Sequence, residues 1–309
     1  MKLGYFPGCS LQGMDIDFNE SVFALARRTD LHLIEIPDWN CCGSTSAHNV
    51  SHLLSLALPA RILALAEKAG LDEILVPCSA CYQRLMTAQH ELLENDELRK
   101  EVVDIIEMDY KGTSKILNII EGMVKIFSGA ELKIEKPLNA KVACYYGCLM
   151  VRPPKVMKFD RAEDPQSMDE LMKKFGADPV DWPFKTECCG AGLTLTRTDL
   201  VCKLSAKVIE SAIKNGAEII IVACPMCHAN LDMRRADIEK AAGKKYNIPV
   251  LYITQAIGLA LGINEKELGM HRHFVPFVLP EQPKAAPSAK PAEPAKPEVG
   301  EKPAAGAEE

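Results

Sequence analysis

The feature that most constrains this chain is an internal repeat written in cysteine. Cys9, the adjacent pair Cys41 and Cys42, and the pair Cys78 and Cys81 recur in the same order as Cys148, then Cys188 and Cys189, then Cys224 and Cys227. The spacings are C-x31-CC-x35-CxxC and C-x39-CC-x34-CxxC. Flanking residues match as well: "YFPGC" with "YYGC", "CCG" with "CCG", and "EILVPCSAC" with "EIIIVACPMC". Similarity at a long fixed period marks a repeated structural unit. The chain is therefore expected to divide into two homologous halves, residues 1–135 and 136–279, followed by residues 280–309 of different composition.

Hydrophobic patterning suggests the scaffold. "KLGYF", "HLIEI" and "EILVP" in the first half are short, apolar, β-rich runs that end just before cysteine motifs; "KVACYY" and "EIIIVA" do the same in the second, where "VLYIT" is a further run of this kind. Helical stretches lie between them, among them "NESVFALARRT", "SHLLSLALPARILALAEKAG" and "TDLVCKLSAKVIESAIKNG". The last two close on lysine with glycine just beyond, a helix C-terminal signature. Strands alternating with helices predict an α/β fold: two homologous halves with parallel sheets and helical crossovers. Ligands of such sheets gather at the carboxyl ends of the strands, where this sequence puts its thiols. The tail is another matter. Fourteen of the 29 residues from Glu281 are proline or alanine, so a disordered C-terminal tail is expected.

Twelve cysteines in a chain opening "MKLGYFPGCS", which lacks a basic then apolar leader, point to a cytoplasmic protein whose thiols serve metal or redox chemistry. No run of eighteen apolar residues argues for membrane insertion. A formal charge of −6 weighs against a nucleic-acid partner.

Iron–sulfur clusters are held by several thiolates converging from separate loops. Each half offers five, more than a four-coordinate zinc site or an ordinary cubane needs. Adjacent thiolates suit a polynuclear centre, where they reach different irons or share one. Gly43 and Gly190, directly after the pairs, permit a tight turn and a close approach of backbone to an inorganic core. Each CxxC is expected to open a helix, "CYQRLMTAQHELL" and "CHANLDMRRADIEK", whose amino end favours thiolate. A zinc site on the two CxxC pairs would leave six matching cysteines unexplained. A thioredoxin-type CxxC would leave the CCG motifs so. Cys144 and Cys202 have no counterpart in the first half and are expected to be buried thiols.

The strings "PGCS…DWNCCGSTSAH…PCSAC" and "YYGCLMVRPP…TECCGAGLTLTR…ACPMCH" resemble the B subunit of heterodisulfide reductase, in a bacterial-type form, over about residues 1–275. The resemblance implies two noncubane [4Fe-4S] clusters. It assigns Cys9, Cys41, Cys42, Cys78 and Cys81 to one, and Cys148, Cys188, Cys189, Cys224 and Cys227 to the other. It implies a catalytic subunit that reduces, or forms, a low-molecular-weight disulfide such as coenzyme M–coenzyme B. Expected partners are the ferredoxin-like C subunit and, through it, the flavin-containing A subunit of such a complex. The methanogen pattern has histidine directly after the cysteine matching Cys148, where this chain has Leu149. A persulfide, another thiol pair or a protein-bound lipoyl sulfur therefore stand beside coenzyme M–coenzyme B as substrates.

Other candidates follow from chemistry. His48 and His228, near the first CCG and directly after the last cysteine, could donate protons to product thiolates. Arg152 and Arg197 could hold an anionic substrate group, with surface salt bridges as the alternative use. Tyr145 and Tyr146 could line a cavity or simply pack. The sequence carries no C-x2-C-x2-C-x3-C-P run and no G-x-G-x-x-G after a strand, so electrons are expected from a partner. The rival reading is an electron-relay subunit of another oxidoreductase, serving sulfur oxidation or passing electrons from lactate, glycolate or succinate toward a quinone.

Overall fold

Two four-stranded sheets of the same order and direction organise the chain in a computed structural model, which describes residues 1–44, 46–128 and 133–278. The first runs β2-β1-β3-β4, with β1 Lys2–Tyr5, β2 His32–Glu35, β3 Glu73–Val76 and β4 Lys115–Asn118. The second runs β6-β5-β7-β8, with β5 Lys141–Tyr145, β6 Asp178–Pro179, β7 Ile219–Val222 and β8 Val250–Tyr252. Every pairing is parallel. The expected α/β fold of two homologous halves is thus observed. The anticipated tail, 280–309, lies outside the described residues.

Parallel neighbours require crossovers, and the amphipathic stretches supply them. The helix His52–Lys68 joins β2 to β3, and Thr198–Lys214 joins β6 to β7. Both end as their sequences foretell. Gly70 and Gly216 adopt φ of +67° and +81°. Beyond them, Leu71 N–H donates to Ala66 and Ala217 N–H donates to Ala212, closing each helix with a six-to-one bond. Covered by helices, the central strands β3 and β7 are almost wholly buried, which is why they read as unbroken apolar runs. Where β2 has four residues, its counterpart β6 has two, one of them Pro179; a sheet edge tolerates the missing N–H.

Residues 1–279 form one compact unit. The helix Ile16–Arg28 of the first half packs on Ile253–Ala260 of the second. Across this seam the Phe18 and Tyr252 rings stack 4.0 Å apart, contributing about 0.5–1.5 kcal/mol beyond their burial. The Tyr252 hydroxyl donates to Asp15 at 2.9 Å, and the Ser21 and Thr254 hydroxyls meet at 2.6 Å, both buried.

Candidate metal centres

The order 2-1-3-4 places a switch point between β1 and β3, and between β5 and β7 in the second half; ligands collect beyond the strand ends there. β1 leads into the Gly8–Leu11 turn with Cys9, β2 into Cys41 and Cys42, and β3 into Cys78 and the helix Ser79–Glu94 with Cys81. The second half repeats this with Cys148, then Cys188 and Cys189, then Cys224 and Cys227.

The ten thiols gather five and five. Cys42 and Cys81 Sγ atoms lie 3.2 Å apart, and Cys189 and Cys227 lie 3.5 Å apart. Cys81 also hydrogen-bonds Cys78, Cys41 bonds Cys42, and Cys9 lies near enough to bear on Cys41. In the second half Cys148 bonds Cys188, and Cys224 bonds Cys227. The adjacent cysteines divide the work. Cys41 and Cys188 are exposed, whereas Cys42 and Cys189 are buried. Each pocket therefore has an outer rim, Cys9 with Cys41 or Cys148 with Cys188, over three buried thiols.

Crowded thiols share protons unequally. A hydrogen bond from Cys148 brings Cys188 down to about 6, and one from Cys227 brings Cys224 down to about 7. In the first pocket Cys42 is held well below the usual thiol range by hydrogen bonds from Cys41 and then Cys81, with a smaller contribution from the Arg84 charge. Cys41, Cys81, Cys148 and Cys227 are pushed up, first by bonding to neighbouring thiols and then by burial.

The backbone closes on the sulfurs where glycine lets it. Gly8 and Gly147 have φ of +64° and +71°, and a Cβ would stand 2.9 Å from Cys81 Sγ or 3.1 Å from Cys227 Sγ. Gly43 and Gly190, which the sequence singled out, do turn with φ of +75° and +86°. Their missing Cβ atoms face Ala47 and Leu58, or Val201 and Leu204, rather than sulfur. What those two bring to the pocket is an N–H directed at Cys41 Sγ at 3.5 Å and at Cys188 Sγ at 3.3 Å. The matching "PGC" and "YGC" strings were the available signal for Gly8 and Gly147. Ten convergent thiols, amides aimed at sulfur and glycine-cleared walls fit iron–sulfur clusters.

The pockets adjoin. The Gly8–Leu11 turn packs against Pro225–His228, and the Ser79 hydroxyl of the first CxxC hydrogen-bonds Cys224 of the second. Three residues after the last cysteine of each pocket stands a group that reasoning from sequence passed over. Arg84 lends its charge to Cys42, and Asn230 donates to Cys189 Sγ at 3.5 Å. Asn230 sits in Ala229–Met233, a π-helical turn where a continuous helix was expected after the second CxxC. The second CCG loop is further braced by buried Lys185, which pairs with Asp169 at 3.0 Å and Asp164 at 3.2 Å. The Lys185 carbonyl accepts the Tyr146 and Gly147 N–H groups, and the Tyr146 hydroxyl donates to Asp169 at 2.7 Å. Burial opposes the Lys185 ammonium, but its carboxylate partners outweigh it and raise the pKa.

The other candidates are scattered. His48 is exposed on the Ala47–Val50 turn. His228 is buried; its Nε2 donates to Val250 O at 3.2 Å, and burial brings it down to about 4. Arg152 donates to Thr186 O at 3.2 Å, two residues before Cys188, and pairs with Glu163 at 3.0 Å. Arg197 is exposed and bound twice by Asp199 at 2.9 Å. Tyr145 is buried, with its hydroxyl on Glu187 O at 2.6 Å. Cys144 and Cys202 are buried, on β5 and on Thr198–Lys214, as expected of packing thiols.

Fold and site define the class: an α/β iron–sulfur protein with one thiol pocket in each half. A family model described as "Cysteine-rich domain", CCG, matches residues 3–86 and again 142–232. The chain belongs to this cysteine-rich CCG family, which its relatives connect with the B subunit of heterodisulfide reductase. It is 34% identical over 279 residues to the 8-methylmenaquinol:fumarate reductase membrane anchor subunit of Wolinella succinogenes, covering 89% of this chain and 97% of that one. It is 32% identical over 282 residues to the B subunit of the ferredoxin:CoB-CoM heterodisulfide reductase of Methanosarcina mazei, covering 89% and 94%. A crystal structure of a hypothetical protein from Helicobacter pylori shares the fold, with TM-score 0.73 and 14% identity over 90% of this chain and 52% of that one. Among the described residues no helix is long and apolar enough to cross a membrane.

Proposed function

We propose that this chain is the catalytic subunit of a heterodisulfide reductase-like complex, reducing or forming a low-molecular-weight disulfide. The observation that carries the reading is the pairing of two complete five-thiol pockets that touch through Ser79 and Cys224. Noncubane [4Fe-4S] clusters bound there, one per pocket, would supply the two single electrons that splitting one S–S bond requires. The rims formed by Cys9 with Cys41, and Cys148 with Cys188, leave each pocket open on its outer side, and a substrate sulfur would approach there. His48 is the exposed histidine of the two candidates and the one placed to exchange protons with water. Arg152, fixed on Thr186 beside the second CCG, would hold an anionic substrate group in exchange for exposed Glu163; Arg197 is held by both oxygens of Asp199.

The named relatives are subunits of reductases. We assign this chain a ferredoxin-like C subunit as electron partner, a flavin-containing A subunit beyond it, and a cytoplasmic location. The 34% identity to the methylmenaquinol:fumarate reductase relative supports a second reading, electron relay in a quinone-linked oxidoreductase without disulfide chemistry. Iron and acid-labile sulfide, purified anaerobically, should reach about eight each per chain. With reduced viologen as donor, turnover of any member of a disulfide panel supports the first reading. Inactivity with every disulfide, combined with cluster reoxidation by a quinone, replaces it with the second.

A further inference from the structure

A second constellation lies at the seam between the halves, built on none of the ten cysteines. Asp17 belongs to the Ile16–Arg28 helix, His228 follows Cys227, and His273 comes from the C-terminal stretch. One donor atom from each lies within 4.8 Å of the other two. All are deeply buried: Asp17 is 2% exposed, His228 1%, and the His273 side chain 0%.

Hydrogen bonding alone does not account for the cluster. His228 spends its Nε2 proton on Val250 O, so Nδ1 carries the lone pair, and it has no partner among the described residues. His273 Nε2 lies 3.3 Å from Asp17 Oδ2 and 2.8 Å from Gln255 Nε2. Gln255 Oε1 already accepts the Tyr252 N–H, so its amide nitrogen faces the imidazole as a donor. One ring nitrogen cannot accept from Gln255 and donate to Asp17 together. His273 Nδ1 and Asp15 Oδ2 are likewise buried without partners among the described residues. Burial and the neighbouring His273 disfavour a proton on His228, while the Asp232 and Asp17 carboxylates bring negative charge to it. Buried charge and orphaned donors in one place ask for a cation.

We propose that Asp17, His228 and His273 form a zinc-class divalent cation site that ties the two halves together. Two imidazoles and one carboxylate are a zinc donor set with a fourth position for water, whereas calcium and magnesium call for oxygen ligands throughout. The Val250 carbonyl fixes the His228 tautomer in the way metal-bound histidines are held from behind. The His228 ring is seated on Tyr252 at 4.2 Å, and Asp232 accepts the Phe274 and Val275 N–H groups, clamping the segment that carries His273. His273 also borders a cavity of about 810 Å³, lined by Lys136, Asn264, His271 and Phe277. The ion would fix Cys227, one residue from His228, relative to a helix of the other half.

The test is made on the full chain, purified anaerobically with its clusters. Elemental analysis should find about one zinc per chain beside the iron, and zinc-edge X-ray absorption should show nitrogen and oxygen at about 2.0–2.1 Å without sulfur. Asp17→Asn and His273→Gln should each lose the zinc while keeping iron at the unmutated level. Absence of zinc, sulfur in its shell (metal lodged on the cysteines), or zinc retained in both variants overturns the proposal. If the variants do not fold, the absorption spectrum of the unmutated chain decides. None of these readouts depends on disulfide turnover, so this site and the function proposed above stand or fall separately.

Discussion

The first and second pockets hold five thiols each on the same strand order, yet they are not the same electrostatic object. The position three residues beyond the last pocket cysteine is a cation in one, Arg84, and a neutral amide in the other, Asn230. An unbroken helix, Ser79–Glu94, leaves the first CxxC, while a π-helical turn interrupts the second. The Lys185–Asp169–Tyr146 brace belongs to the second half. In the first pocket the depressed thiol is buried Cys42; in the second, exposed Cys188 and buried Cys224 are depressed. A duplication can keep a ligand set while its surroundings drift, because ligation needs position whereas potential answers to every nearby charge and donor. Two clusters bound here would differ in reduction potential, which suits passing electrons in sequence.

The largest effect should come from removing a buried ligand. Cys81→Ala is expected to empty the first pocket and Cys227→Ala the second, each costing about half the iron and sulfide. Colorimetric assay under argon checks this, and loss of all metal from either variant would mean the pockets assemble as one. Next in size is Lys185→Met. It leaves Asp169 buried with the Tyr146 hydroxyl but without its cation, at a cost of roughly 3–5 kcal/mol. A thermal melt should fall accordingly, with iron lost preferentially from the second pocket.

Thiol reactivity separates the halves more gently. In cluster-free protein at pH 7, iodoacetamide should modify Cys188 faster than Cys41 by roughly a hundredfold or more, since each unit of pKa is tenfold in thiolate. Both residues are exposed, so access does not decide the outcome. Below pH 6 Cys188 takes up its proton and both rates should fall together, whereas the advantage should shrink as pH rises above 6, where Cys188 is already ionised and Cys41 still gains thiolate; peptide mass spectrometry across pH follows it. The smallest contrast is Gly8→Ala against Gly147→Ala. Each places a side chain at positive φ, costing about 1–2 kcal/mol. The first also brings Cβ nearer to sulfur, 2.9 Å against 3.1 Å, and should release more iron.

Much of this was legible in the sequence, for identifiable reasons. Cysteine spacing and short continuous apolar runs are local patterns, so the halves, the central strands and the glycine-closed helices could be read directly. Two strands escaped notice. β4 runs straight into the helix Ile119–Phe127, so its apolar residues merge with a helical run, and β6 is two residues with a proline. The π-helical turn was hidden because its cause lies elsewhere, in Asn230 reaching Cys189 and Asp232 reaching residues 274 and 275. Asp17, His228 and His273 are far apart along the chain, and only the seam assembles them. Tertiary company, unlike periodicity, leaves no trace along a single chain.

The division of each quintet into two outward and three inward sulfurs has a consequence for survival in air. Dioxygen and peroxide meet Cys9, Cys41, Cys148 and Cys188 first, and these are the thiols open to sulfenic acid and then to irreversible higher oxides. Damage would begin at the margin and travel inward, so a chain harmed briefly would keep its inner three sulfurs reduced. Repair by fresh iron and sulfide, after mild reductant restores the margin, would then succeed early in exposure and fail late.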